Sequence, residues 1–417
     1  MPTLYFAEGL PFVIVGNNVA GVALLHMGWP VSAVANLMST LSLPWVLKPL
    51  WSPIIGDTAT RRRWIIMTQL IGAALICGLA FAIAENVKIL FPVALMAVAF
   101  ISATHDIAAD GFYIVAQDAH TQSEWSGVRN TFYRVAMIAG SGGVVWLAGN
   151  WEKSLGIARA WEAAFAFTGA VFGLLAVYHH FILPKPDADK RAAKRGEWIK
   201  DFTPTWGSLV QKPGFARMLA FMLFYRFAEG QVQKGNTAFF LAPLDKGGLG
   251  LATKEVALLF GTFGVIALLT GGILGGLAVA RTGLGRQMWP MCAAMNLPNI
   301  LYVAMAWVQP QNRLLIGAIV GFEQFGYGYG FAAFMVYLLY VARGDRVTAH
   351  YALCTGVMAL GLMLGGYVAA EALSRTVDLN NNPRGYLQFF IWVMACVPVS
   401  FAVLWKLPLE RDFGRRA

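Results

Sequence analysis

Charge is what this sequence has least of. Only 13% of its 417 residues are Asp, Glu, Lys or Arg, while 58% are hydrophobic. An ordinary soluble domain carries about a quarter charged residues, and no soluble core hides this much apolar chain. Cysteine is also scarce. Cys77, Cys292, Cys354 and Cys396 stand singly in apolar runs, which excludes a disulfide framework and any Cys-based metal spacing. No strand–Gly-loop–Lys-Ser/Thr element is present, so an ATP-driven pump is not expected. The run "GYGYG" (326–330) is read as close helix packing rather than a phosphate cradle. The start "MPTLYFAEGLPF" has neither a basic region nor a small-residue cleavage site, so no removable signal peptide is expected.

Glycine (44), phenylalanine (28) and tryptophan (14) are plentiful, as in helical membrane proteins. A membrane span needs about 20 mostly apolar residues. Twelve stretches qualify: 4–26, 32–55, 64–84, 88–118, 126–149, 160–183, 214–242, 254–281, 287–308, 312–342, 347–373 and 385–406. Runs this long cross lipid as helices, since an open strand leaves its backbone unsatisfied there. The fold class is therefore an all-α polytopic membrane protein of twelve transmembrane helices.

The net charge of +10 does not indicate nucleic acid, because the positive residues cluster in alternate loops. Loops after even-numbered spans, with the C-terminal end, hold Arg61–Arg63, the run 185–200, Arg281, Arg286, Arg343, Arg346, Arg411, Arg415 and Arg416. Cytoplasmic loops carry such a bias, so both termini are expected in the cytoplasm and the basic loops against lipid headgroups. The hydrophilic segment 184–213 divides the chain into a bundle at 1–183 and a second at 214–408, with a cytoplasmic tail at 409–417. The halves repeat: "FAEG" occurs at 6–9 and at 227–230. Parallel six-span repeats related by a pseudo-twofold axis are one plan of secondary transporters.

Acids and bases inside the spans are the functional candidates. A charge at mid-bilayer costs at least about 2.5–3.5 kcal/mol. Asp106 and Asp110, in "SATHDIAAD", are four residues apart and share a helix face. Two carboxylates one turn apart repel, which favours proton uptake by one of them and suits a proton-coupling site. The alternative is a structural hydrogen-bond network. His105 points away from Asp106, toward packing. Arg134 must be paired or hydrated. It either neutralises an aspartate or receives an anionic substrate group. In the seventh span, Arg226, Glu229, Gln233 and Asn236 fall in one arc with Lys234 beside it, so that face looks into protein or a cavity. Glu8 is the first-half counterpart of Glu229, and Gly9 with Pro11 are expected to break the first span. Glu323 is the remaining deep acid. Matching "GF" at 111–112 with 330–331 sets Phe325 and Tyr329 opposite the two aspartates, so the second half lacks the acidic pair.

The acid-plus-basic loop "GDTATRRRW" (56–64) resembles the signature loop of the major facilitator superfamily. The stretches "FAEGLP" (6–11), "WVLKPLWSP" (45–53), "SATHDIAAD" (102–110) and "YRVAM" (133–137) are similar to those of AmpG-type anhydromuropeptide permeases, which group with acetyl-CoA transporters. The resemblance implies the major facilitator fold and a cytoplasmic gate formed by Asp57 with Arg61, Arg62 and Arg63. It also implies import across the bacterial inner membrane of an N-acetylglucosaminyl-anhydromuramyl peptide. Import would be driven by protons through Asp106 and Asp110. Substrate binding or charge pairing would fall to Glu8, Arg134, Arg226, Glu229, Gln233, Lys234 and Glu323. The expectation is a monomeric transporter in a lipid bilayer, not an enzyme, with no cofactor or metal beyond the proton motive force. The alternatives are a siderophore or other amphipathic anion as substrate, and an acyl-transfer enzyme. The enzyme lacks support because His105 and Asp106 are adjacent on a helix and do not face each other.

Overall fold

The computed structural model describes the chain except residues 1, 17, 85–88, 117–130, 188, 190–203, 205, 344–346, 380–381 and 416–417. The described residues form helices joined by short turns, with no strand among them. Ten helices are long and apolar enough to cross a membrane, among them Arg61–Ile83, Leu90–Tyr113, Thr131–Leu155, Ile157–Ile182 and Arg313–Ala342. Large apolar side chains cover their outer faces, including Leu314 at 86% exposure and Phe181 and Trp307 at 77%. Such faces are stable only against lipid. The chain is a multi-pass membrane protein.

The other two expected spans are helical but divided. Residues 32–55 appear as Val31–Thr40 and Leu43–Thr58. Residues 214–242 appear as Phe215–Phe224 and Phe227–Leu241. The second break falls at Arg226, whose backbone (φ −102°, ψ 20°) leaves the helical region. The first span differs from expectation in the opposite way. Pro11 lies inside a continuous helix, Pro2–Gly16, instead of ending it.

The chain folds as two compact units. One comprises 1–28, 47–198 and 253–261, the other 29–46, 199–252 and 262–417. In the first, glycines set the close approaches. A Cβ on Gly9 would meet Ala136 Cβ at 2.8 Å and Tyr133 O at 3.0 Å, so the helix bearing Glu8 lies directly on Thr131–Leu155. Gly261 rests on the backbone of Gly142, and Gly149 on that of Lys254, which fixes 253–261 in this unit.

In the second unit the carboxylate of Asp378 accepts from the N–H of Val31 (3.1 Å) and Ser32 (2.9 Å). It thereby satisfies two of the unpaired donors that open Val31–Thr40. The "GYGYG" glycines do pack helices. Gly326, Gly328 and Gly330 would each drive a Cβ into a carbonyl oxygen, of Ala294, Leu268 and Met291 respectively. The segment 409–415 is docked: Leu284 N–H donates to Phe413 O (2.9 Å) and Gly285 N–H to Arg411 O (3.1 Å).

Candidate functional site: buried charges in each unit

The first unit gathers its acids from two helices. Carboxylate oxygens of Glu8, Asp106 and Asp110 lie within 4.8 Å of one another. Glu8 comes from Pro2–Gly16, and the two aspartates come from one face of Leu90–Ala116, one turn apart. A third helix supplies the cation. Lys48, five residues into Leu43–Thr58, forms an ion pair with Asp106 Oδ2. Tyr5 donates its hydroxyl to Asp110 Oδ1 at 3.3 Å. Lys48 is the residue that sequence reasoning missed, although it stands inside a quoted apolar stretch. A lysine in a predicted span is itself the signal.

Arg134 does not pair with either aspartate. Its guanidinium donates to Met137 Sδ at 3.2 Å, in the helix against which Glu8 packs. His105 points elsewhere, as its adjacency to Asp106 requires. It is fully buried and joined to Gln69 at 2.9 Å. Gln69 in turn meets His179 Nδ1 at 3.0 Å, and His179 Nε2 meets Thr3 Oγ1 at 3.0 Å. This chain ties Leu90–Ala116 to Arg61–Ala84 and Ile157–Ile182, and so fixes which face of that helix presents the aspartates.

The basic loop is held within the same unit. Asp189 accepts from the backbone N–H of Arg61 (2.8 Å) and Arg62 (3.0 Å). The Arg62 guanidinium donates to the carbonyls of His180 and Leu183. The Arg61 side chain lies over Gly111, where a Cβ would meet its Nε at 2.8 Å. Asp57 lies on Leu43–Thr58, but its side chain is outside the described residues.

The second unit neutralises Glu229 locally. Arg226 Nε donates to Glu229 Oε2 at 3.0 Å, both buried and one turn apart. Gln233 donates to the other oxygen of the same carboxylate. Arg226 also donates to Tyr327 Oη at 2.7 Å and lies 4.9–5.0 Å from the ring centres of Phe331 and Tyr327. Of the predicted arc, Arg226, Glu229 and Gln233 form one network, whereas Asn236 Oδ1 accepts from the Thr237 N–H at 2.6 Å. Lys234 sits beside it and donates to Met38 O at 3.3 Å. Glu323 is buried and accepts from Tyr302 Oη (3.1 Å) and Gln324 Nε2 (2.9 Å). Phe325 and Tyr329 stack with centroids 6.2 Å apart.

Among the described residues, the first site thus combines three clustered carboxylates with the Lys48 ammonium, chemistry suited to loading and releasing a proton. Three carboxylates also suit a hard cation by distance, but an ammonium already engages Asp106.

The Major Facilitator Superfamily profile matches residues 4–370. The anhydromuropeptide permease of Escherichia coli (strain K12) is 24% identical over 409 residues, covering 95% of this chain and 76% of that protein. The crystal structure of the nucleoside transporter NupG superposes with a TM-score of 0.71 at 16% identity, covering 98% of each chain. That of a D-xylose-proton symporter gives 0.70 at 12% identity, covering 100% of this chain and 98% of the other. These likenesses and the helical architecture agree with the profile, and the chain belongs to the Major Facilitator Superfamily of secondary transporters.

Proposed function

We propose that the protein imports a muropeptide, an N-acetylglucosaminyl-anhydromuramyl peptide, across the bacterial inner membrane together with protons. Both termini are cytoplasmic, and a monomer in the bilayer suffices. The observation that carries this reading is the meeting of Glu8, Asp106 and Asp110 with the ammonium of Lys48. A proton taken up by the cluster weakens the hold of Asp106 on Lys48, and its release restores the pair. The ion pair is thus the element that senses the proton, and the proton motive force is the only energy source required. The similarity to a protein named anhydromuropeptide permease supports the substrate class. Arg134 in the first unit and, separately, Lys234 and the Arg226 network in the second supply cationic and aromatic groups suited to a peptide carboxylate and sugar rings. Arg61 and Arg62, held at the end of the spans, serve the cytoplasmic gate with Asp57 and Arg63.

The test is uptake of labelled anhydromuropeptide by proteoliposomes with and without an inward proton gradient. Accumulation that requires the gradient is expected. Absence of accumulation, in vesicles holding folded protein and an intact gradient, rejects the substrate and brings siderophores and other amphipathic anions forward. Asp110→Asn is expected to retain expression and lose accumulation against a gradient.

A further inference from the structure

A cationic cavity sits where the basic loop meets the start of the linker. Its volume is about 310 Å³, and Thr60, Arg62, Arg63, Lys185, Pro186 and Asp189 line it. Three cations face one acid. That acid is already engaged, because both Asp189 oxygens accept the backbone N–H groups that open Arg61–Ala84, and the Arg61 guanidinium lies 3.7 Å away. Arg62 is braced by the last carbonyls of Ile157–Ile182. Arg63 and Lys185 remain exposed at the rim.

The surface beside the cavity is apolar and exposed. Arg63 stands four residues before Met67 and seven or eight before Leu70 and Ile71, so it continues their stripe along one helix face. All three are 44–50% exposed. Phe181 and Ile182 end the neighbouring helix at 77% and 60% exposure, three or four residues before Lys185. The cationic cavity lies at the end of two helices whose outer residues are exposed and apolar, which suits a lipid with an anionic head and apolar chains.

We propose that this cavity binds the headgroup phosphate of an anionic phospholipid, whose acyl chains run down the face of Met67, Leu70, Ile71, Phe181 and Ile182. The site does not depend on the transported substrate. The lipid adds negative charge where Arg62 and Arg63 are displayed, and so secures the basic loop against the end of Ile157–Ile182.

Native mass spectrometry of the purified full chain tests this, with phosphatidylglycerol, phosphatidylcholine and inorganic phosphate as probes. The wild type is expected to retain phosphatidylglycerol over phosphatidylcholine, and Arg63→Gln with Lys185→Gln to lower that retention by about fivefold per residue. Both side chains are exposed, so folding is expected to survive. Lys185→Glu alone provides a second variant with the same expected direction. Equal retention of the two lipids overturns the proposal, as does unchanged phosphatidylglycerol retention in the variants. Displacement of the lipid by millimolar inorganic phosphate also overturns it, by showing a soluble-anion site.

Discussion

The two copies of "FAEG" start from nearly the same residues and end in opposite electrostatics. Tyr5-Phe6-Ala7-Glu8-Gly9 becomes Tyr225-Arg226-Phe227-Ala228-Glu229-Gly230, with one residue added between Tyr and Phe. The added residue is Arg226. It stands at the break in its span and neutralises Glu229 one turn later. Glu8 has no arginine one turn before it. It lies instead against two aspartates from a distant helix, with the nearest ammonium, Lys48, engaged on Asp106. Tyr5 donates to Asp110, whereas Tyr225 donates to the carbonyl of Gly330. Arg226 caps the helix that carries Glu229, so the local pair moves as one piece. A cluster assembled from three helices changes when those helices shift. On the proposed function, energy coupling falls to the first unit, while the Arg226–Glu229 pair of the second holds a fixed polar surface.

Breaking the first region has the largest expected effect. Asp106→Asn removes the partner of Lys48 and is expected to abolish accumulation, at least a hundredfold down in gradient-driven uptake, while substrate exchange without a gradient persists. Loss of both activities would make Asp106 a binding residue instead. Lys48→Met removes the ammonium paired with Asp106. The expected result is a protein that folds and exchanges substrate but accumulates at least tenfold less, and a wild-type accumulation ratio would remove Lys48 from the coupling site.

The second region should fail as structure. Arg226→Met strands the buried Glu229 carboxylate, and removing one partner of a buried pair costs about 3–5 kcal/mol. A thermal-unfolding scan should show a large loss, mostly restored by adding Glu229→Gln. Equal loss in the single and double variants would contradict the local-pair account.

The smallest effect belongs to the docked end of the chain. Arg343 holds the exposed Glu410 carboxyl below its usual value, chiefly through the 2.8 Å hydrogen bond between them. A depressed carboxylate contributes stability that is present above its unfolded value and lost as pH falls through the lowered folded value. Glu410→Gln should therefore change unfolding only slightly, at neutral rather than acid pH, and the difference should shrink with salt.

Much of this was legible in the sequence. Length and apolar runs marked the spans, and the four-residue spacing of Asp106 and Asp110 marked their shared face. The arc of Arg226, Glu229, Gln233 and Asn236 was drawn from helix periodicity, and the network holds for the first three although the helix starts only after Arg226. Glycines in "GYGYG" indicated close packing, because a Cβ there has nowhere to go. The pairing of Lys48 with Asp106 was not legible, since it joins helices 58 residues apart and periodicity reports only neighbours on one helix. Nor did the sequence show that Arg134 turns to Met137, because an arginine near two aspartates in a list of residues need not be near them in space. Pro11 was misleading for a physical reason. Neighbouring helices satisfy the carbonyl a proline frees, so membrane helices tolerate it. Asp189 lies in a hydrophilic segment that composition marks as linker, and only its two backbone partners reveal a clamp.

The most direct measurement is the accumulation ratio of labelled anhydromuropeptide in proteoliposomes as the inward proton gradient is varied, for the wild type and Asp110→Asn side by side. The account predicts a wild-type ratio that rises with the gradient and a variant ratio that stays near one at every gradient. A variant that accumulates as the wild type does would contradict the assignment of coupling to the Glu8, Asp106 and Asp110 cluster.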